Sequence, residues 1–118
     1  MKFEDLREKV LDWAMDKDLL HEENAEKQFM KFMEEVFEFK VEMVENKEIN
    51  KDPEVTSEYK EFARHNLMLE MGDVFVSLII LCRQLNLDPV KCLELAYDKI
   101  KLREGKTIDG TFVKAEDL

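Results

Sequence analysis

The sequence predicts an all-α fold, a four-helix bundle. Three observations carry that expectation. Apolar residues recur at helical spacing along most of the chain. Only 3 Gly and 2 Pro occur in 118 residues, too few turn formers for a sandwich or barrel of many short strands. The two prolines follow Asp52 and Asp88, and so separate long periodic segments.

The first helix is expected over about Phe3 to Lys17, where Leu6, Val10, Trp13 and Met15 form an apolar stripe. Asp18 to Glu23 reads as a connection. The second helix is expected from about Asn24, a plausible N-cap, to Lys47. Phe29, Phe32, Val36, Phe39 and Met43 fall on one of its faces. The break at Asp52-Pro53 then predicts a loop of about ten residues. The third helix is expected from Ser57, as a cap, to Leu85. Its second half is almost wholly apolar, which marks it as the central and most buried helix. Asp88 as cap and Pro89 as first residue open the fourth helix, expected to run to about Arg103. Gly105 stops it and Gly110 marks a second turn. The reading is a single domain over residues 1–118. Residues 104–118 form a C-terminal tail whose Phe112 and Val113 could dock on the bundle or a partner chain.

Composition narrows the function classes. A hydrophobic share of 45% supports a real core. Against 28 Asp and Glu stand 18 Lys and Arg, a net charge of −10. Such a chain repels phosphate backbones and anionic lipid, so neither a nucleic-acid polymer nor a membrane is an expected partner. A phosphorylated small molecule bridged by cations is the exception. The N-terminus has no apolar signal-like region, and the longest uninterrupted apolar run, Val74 to Cys82, is short of the ~20 residues a spanning helix needs. The expectation is a soluble, cytoplasmic protein. Cys82 and Cys92 form no metal or redox motif and read as two buried, reduced thiols.

The chemistry-bearing residues are carboxylates. On the second helix Lys31, Glu34, Glu35, Glu38 and Glu42 fall within a sector of roughly 100°, largely opposite the apolar set. A row of glutamates on an amphipathic helix is ordinarily its solvated face. Glu70 and Asp73 differ, because they are neighbours at i and i+3 where the most buried helix begins, with Ser77 on the same stripe. Several carboxylates brought together require a shared cation or proton. Oxygen ligands without His or Cys suit Mg²⁺, or Mn²⁺, better than zinc, and such ions can bridge to phosphates. A di-iron bundle needs Glu-x-x-His pairs, and neither His21 nor His65 supplies one. Lys99 and Arg103, at i and i+4, either complement a helix C-terminus or bind phosphate. Trp13 is either a core anchor or a stacking surface for a base.

Glu34-Glu35-Val36-Phe37-Glu38 followed by Glu70-Met71-Gly72-Asp73 resembles the EExxE…ExxD signature of the MazG-type nucleoside triphosphate pyrophosphohydrolases, of the all-α NTP pyrophosphatase superfamily. The approach from Gln28 to Glu35, the entry into the apolar helix after Asp73, and the pair Lys99 and Arg103 are similar as well. The resemblance covers roughly residues 10–106. Some relatives carry Asn where Tyr97 stands here, a change in sugar or base contacts. The linker between the two acidic motifs is long and polar, either a lid or a longer loop. The resemblance implies hydrolysis of a nucleoside triphosphate between its α- and β-phosphates, giving monophosphate and pyrophosphate. It implies Mg²⁺ on Glu35, Glu38, Glu70 and Asp73, with Glu34 completing the shell or orienting the attacking water. Lys31, Lys99 and Arg103 would neutralise phosphates, and Trp13 and Tyr97 would contact the rest of the substrate. It also implies a homodimer or homotetramer, in which a partner could cover an acidic face. Two other readings stand beside it: a non-enzymatic helical module that senses a nucleotide or binds a protein, and an acidic protein that mimics nucleic acid.

Overall fold

The structure, a computed structural model, describes residues 1–118. The chain forms two compact units, Met1–Asn86 and Leu87–Leu118. The first holds α1 (Phe3–Asp16), a 3₁₀ turn (Glu22–Asn24), α2 (Ala25–Lys51) and α3 (Ser57–Gln84). The second holds α4 (Pro89–Ile100), then β1 (Gly105–Ile108) and β2 (Thr111–Lys114), and ends in a short 3₁₀ turn.

In the first unit α2 and α3 pack as an antiparallel helical hairpin. The Gln28 side-chain amide donates to the Ser77 carbonyl at 3.0 Å, and the Lys60 ammonium to the Asn50 carbonyl at 3.3 Å. Along α2 the residues withdrawn from solvent are Ala25, Gln28, Phe32, Glu35, Phe39, Glu42, Asn46 and Ile49. Their alternating spacing of four and three is a coiled-coil seam. It differs from the expected face: Phe32 and Phe39 lie in it, but Phe29, Val36 and Met43 stand outside and exposed. Glu35 and Glu42 occupy the inner positions instead. Helix α2 is apolar around much of its circumference, so apolar spacing alone does not single out the side that α3 takes. On α3 the matching residues are Ala63, Leu67, Glu70, Val74, Ser77, Leu81 and Gln84.

Helix α1 lies against the second half of α3, and its Leu11 and Ala14 join Ile79, Ile80 and Leu81 in the core. It ends at Asp18, in the left-handed conformation at φ 60°, where the Leu19 N–H donates to the Ala14 carbonyl at 2.9 Å. Gln84, the last residue of α3, fastens the same end, donating to the Leu19 carbonyl at 2.8 Å.

Several boundaries differ from expectation. Asn24 closes a 3₁₀ turn and makes no side-chain cap. Helix α2 continues to Lys51, so the loop before α3 is only Asp52 to Thr56. Thr56, not Ser57, caps α3, its hydroxyl accepting from the Tyr59 N–H at 3.2 Å. By length and composition α3 is long and apolar enough to cross a membrane, with a window of mean hydropathy 1.5. Counting uninterrupted runs hides this, since Glu70 and Asp73 interrupt the apolar sequence. Cys82 is half-buried and Cys92 exposed, and neither is in a disulfide, so neither is the fully buried thiol expected.

In the second unit the Asp88 carboxylate caps α4, accepting from the Val90 N–H at 3.0 Å, with Pro89 in the first turn as expected. No residue of α4 is buried. The tail is not an unstructured extension. Residues 105–114 form an antiparallel β-hairpin that pairs Gly105 with Lys114 and Ile108 with Thr111. Asp109 and Gly110, at φ 51° and 80°, make its two-residue turn, so the fold is four helices plus a small sheet. Gly105 is required there by close approach: a Cβ would lie 2.2 Å from the Val113 carbonyl oxygen. Gly105→Ala is therefore expected to separate the strands. Amide-exchange protection of residues 105–114 should disappear while helical circular dichroism is unchanged; retained protection would contradict this.

Candidate metal centre

The helical hairpin brings Glu35, Glu38 and Glu70 together, with one carboxylate oxygen from each within 4.8 Å of the others. The seam explains the geometry. Glu35 and Glu70 are facing seam residues, and Glu38 follows Glu35 by three, one turn along the same side. Glu35 is only 9% exposed and Glu70 half-buried, whereas Glu38 is open to solvent. The three helix positions are held by ordinary packing, with Phe32 and Phe39 on either side of Glu35.

Charge compensation in the cluster is incomplete. Lys31 reaches Glu35 at 3.0 Å and Glu34 at 3.6 Å, and these contacts raise the lysine pKa, the Glu35 hydrogen bond most. Nothing does the same for Glu70. Its Oε2 is buried and has no hydrogen-bond partner. Burial pushes the Glu70 carboxyl above the ordinary carboxylate range, and the charges of Asp73, Glu38, Glu35 and Glu42 push it further. A carboxyl that is desolvated, unpartnered at one oxygen and grouped with two other carboxyls would be compensated by a cation or a proton. The donor set is all oxygen, which suits a hard cation without selecting one.

The other expected site residues are placed as follows. Asp73 is exposed and lies outside the close group, one turn from Glu70. Glu34 is exposed beside Lys31. Glu42 is half-buried in the seam beyond Glu35. Trp13 is not a core anchor: it is 50% exposed and walls an apolar cleft with Leu6, Val10 and Val76, Lys9 standing at the edge. Tyr97, Lys99 and Arg103 all lie exposed in the second unit. There the Lys101 ammonium sits 5.7 Å above the Tyr97 ring, and Arg103 and Lys114 line an open hollow. His65 is exposed.

Sequence reasoning missed the polar seam around the cluster. Asn46 and Gln84 are buried, and Asn46 Nδ2 and Gln84 Oε1 have no partner. The signal was present: Gln28, Glu35 and Glu42 recur every seven residues on α2, and Glu70, Ser77 and Gln84 do so on α3. A search for apolar periodicity passes over a seam built in part from polar residues. Comparison with known proteins finds no family model, no curated protein and no solved structure that matches the chain.

Proposed function

We propose that the chain is a Mg²⁺-dependent nucleotide pyrophosphohydrolase of the MazG type, cleaving a nucleoside or deoxynucleoside triphosphate to its monophosphate and pyrophosphate. Its role would be to clear non-standard or surplus nucleotides. The finer fold assignment, a four-helix bundle of the all-α NTP pyrophosphatase type, belongs to the same proposal. The observation that carries it is the grouping of Glu35, Glu38 and Glu70, one carboxylate oxygen of each within 4.8 Å of the others, in which Glu70 also has a buried Oε2 without a hydrogen-bond partner. The ordered motifs of α2 and α3 support it, because three of the five acids that resemble the family's signature, Glu35, Glu38 and Glu70, are grouped by the helical hairpin.

Bound by these acids, Mg²⁺, or Mn²⁺ in its place, would neutralise phosphate charge and polarise the α-phosphate. The chain does the rest. Glu35, Glu38 and Glu70 would hold the cation, and Asp73, one turn on from Glu70, would join them as the resemblance implies. Glu34, exposed at the rim, orients the attacking water and takes its proton. The water oxygen bonds to the α-phosphorus as the bond to the bridging oxygen breaks, and pyrophosphate leaves. Lys31, paired with Glu35 at 3.0 Å, would contribute positive charge toward the phosphates. Trp13 offers a stacking face to the base; Tyr97, Lys99 and Arg103, in the second unit, enter the proposal as substrate contacts on the resemblance alone. Such a reaction depends on positioning and charge neutralisation more than on covalent chemistry.

The test is a panel of standard and modified nucleotides incubated with Mg²⁺, with pyrophosphate and orthophosphate measured separately. Pyrophosphate is the expected product. Orthophosphate would mean that another bond is cut. Mg²⁺-dependent nucleotide binding without turnover would replace the enzyme by a nucleotide-sensing module of the same fold.

A further inference from the structure

The candidate metal centre continues along α3 into the apolar cleft that α1 walls. Glu70, Asp73 and Val76 are spaced by three. Each step of three falls short of a full turn by about 60°, so the three residues form one shallow spiral on α3. The spiral starts at the grouped carboxylates and ends at Val76, which lines the cleft with Leu6, Val10 and Trp13. Glu70 and Val76 are about 9 Å apart along the helix axis, a span that a nucleotide bridges from its phosphates to its base. Both helices belong to the first unit. They run the same way: the end of α1 lies at Gln84, whose amide donates to the Leu19 carbonyl, while Leu6 and Val10 lie at Val76. The stretch from Trp13 back to Leu6 therefore leads towards Asp73.

The cleft measures about 330 Å³, within the range of small-ligand sites. Its lining decides what fits. Trp13, the only tryptophan, is half exposed and presents its π-face. Leu6, Val10 and Val76 carry no side-chain donor or acceptor. Lys9 stands at the edge, where its ammonium stays in water and its stem adds hydrocarbon. A base stacked on Trp13 brings part of its ring edge against aliphatic carbon. An oxo or amino group placed there loses water and gains no hydrogen bond. A methyl group placed there leaves water for hydrocarbon, which favours binding.

We propose that the cleft seats the base and selects nucleotides whose base carries an apolar substituent on its ring edge, a methyl group above all. That the occupant is a nucleotide rests on the pyrophosphohydrolase reading; the selection comes from the lining. The cleft lies nearly two turns of α3 from Glu70, so the substituent acts on binding and not on the reacting bond.

Nucleosides that differ by one methyl group test the selection: thymidine against deoxyuridine, and 5-methyldeoxycytidine against deoxycytidine. Because Trp13 is the only tryptophan, its indole N–H gives a single NMR signal that reports the cleft without turnover. In chelator each nucleoside is expected to move that signal. The methylated member of each pair is expected to bind roughly 4–10-fold tighter. Val10→Thr and Val76→Thr each place a hydroxyl in the lining at nearly the same shape, and are expected to reduce the ratio to about twofold or less. Where one variant loses its helical circular dichroism, the other variant and the wild-type pairs still decide the matter. With Mg²⁺, dTTP and dUTP should differ by the same ratio in KM and little in kcat. An unmoved Trp13 signal at millimolar nucleoside, or equal affinities within both pairs, would overturn the selection. So would a methyl preference that both folded variants keep. A moving signal with the expected ratio, but no pyrophosphate from any triphosphate, would support the cleft and remove the enzyme. Pyrophosphate release with no preference within either pair would do the reverse.

Discussion

Glu38→Gln is expected to lower pyrophosphate release by about 10²–10³-fold while leaving helical circular dichroism and the melting temperature near the wild-type values. The argument has two halves. Glu38 is exposed and fills no part of the seam, so the isosteric amide costs the fold almost nothing. Yet its carboxylate is one of three converging within 4.8 Å, and it is the member most accessible to a phosphate-bound cation. The amide keeps the shape and removes the charge that holds the ion. Asp73→Asn divides the supports of the proposal. The resemblance places Asp73 among the metal ligands and requires a loss of similar size. The close group of carboxylates omits Asp73, and geometry alone requires much less. Full turnover in Glu38→Gln would remove the enzymatic reading, whatever Asp73→Asn does.

The helices were legible because their signals are local. Asp88-Pro89 reads as a capped helix start, and the structure places the cap bond where the sequence put it. The β-hairpin was equally local, with Asp109-Gly110 between Thr107-Ile108 and Thr111-Phe112, but a helical context drew attention to Gly110 as a turn and not to its flanking strands. The seam is a different matter. Which side of α2 turns inward is decided by pairing with α3, and α2 offers apolar residues on more than one side. Glu35 looked like part of a solvated row because its neighbours Glu34 and Glu38 are exposed. Burial of one acid in three depends on the partner helix, which residue spacing on α2 alone does not encode. The acids of the candidate centre were thus readable as residues, but the desolvation that sets Glu70 apart was not.

That desolvation gives the second large effect. Glu70→Gln is expected to stabilise the protein in chelator by about 1 kcal/mol or more, roughly 4–8 °C in Tm for a helical domain of this size. In the native chain the Glu70 carboxylate is desolvated, repelled by Asp73, Glu38, Glu35 and Glu42, and orphaned at Oε2. An amide removes the charge and can donate to a neighbouring carboxylate. The pH dependence follows in sign. Because the folded-state pKa of Glu70 lies above its ordinary value of 4.5, the folded chain binds the proton more tightly than the unfolded chain. The stabilisation this confers is complete below 4.5 and is lost as pH rises through the folded-state pKa. Metal-free wild type should therefore lose Tm over that interval, and Glu70→Gln should lose less. Mg²⁺ should reverse the order at neutral pH, raising the wild-type Tm by mass action and leaving the variant nearly unmoved. If Mg²⁺ shifted both proteins equally, the cation would be binding elsewhere. If Glu70→Gln proved less stable than wild type in chelator, the cluster would be held together by contacts stronger than its repulsion, and the orphaned oxygen would need no ion to explain it.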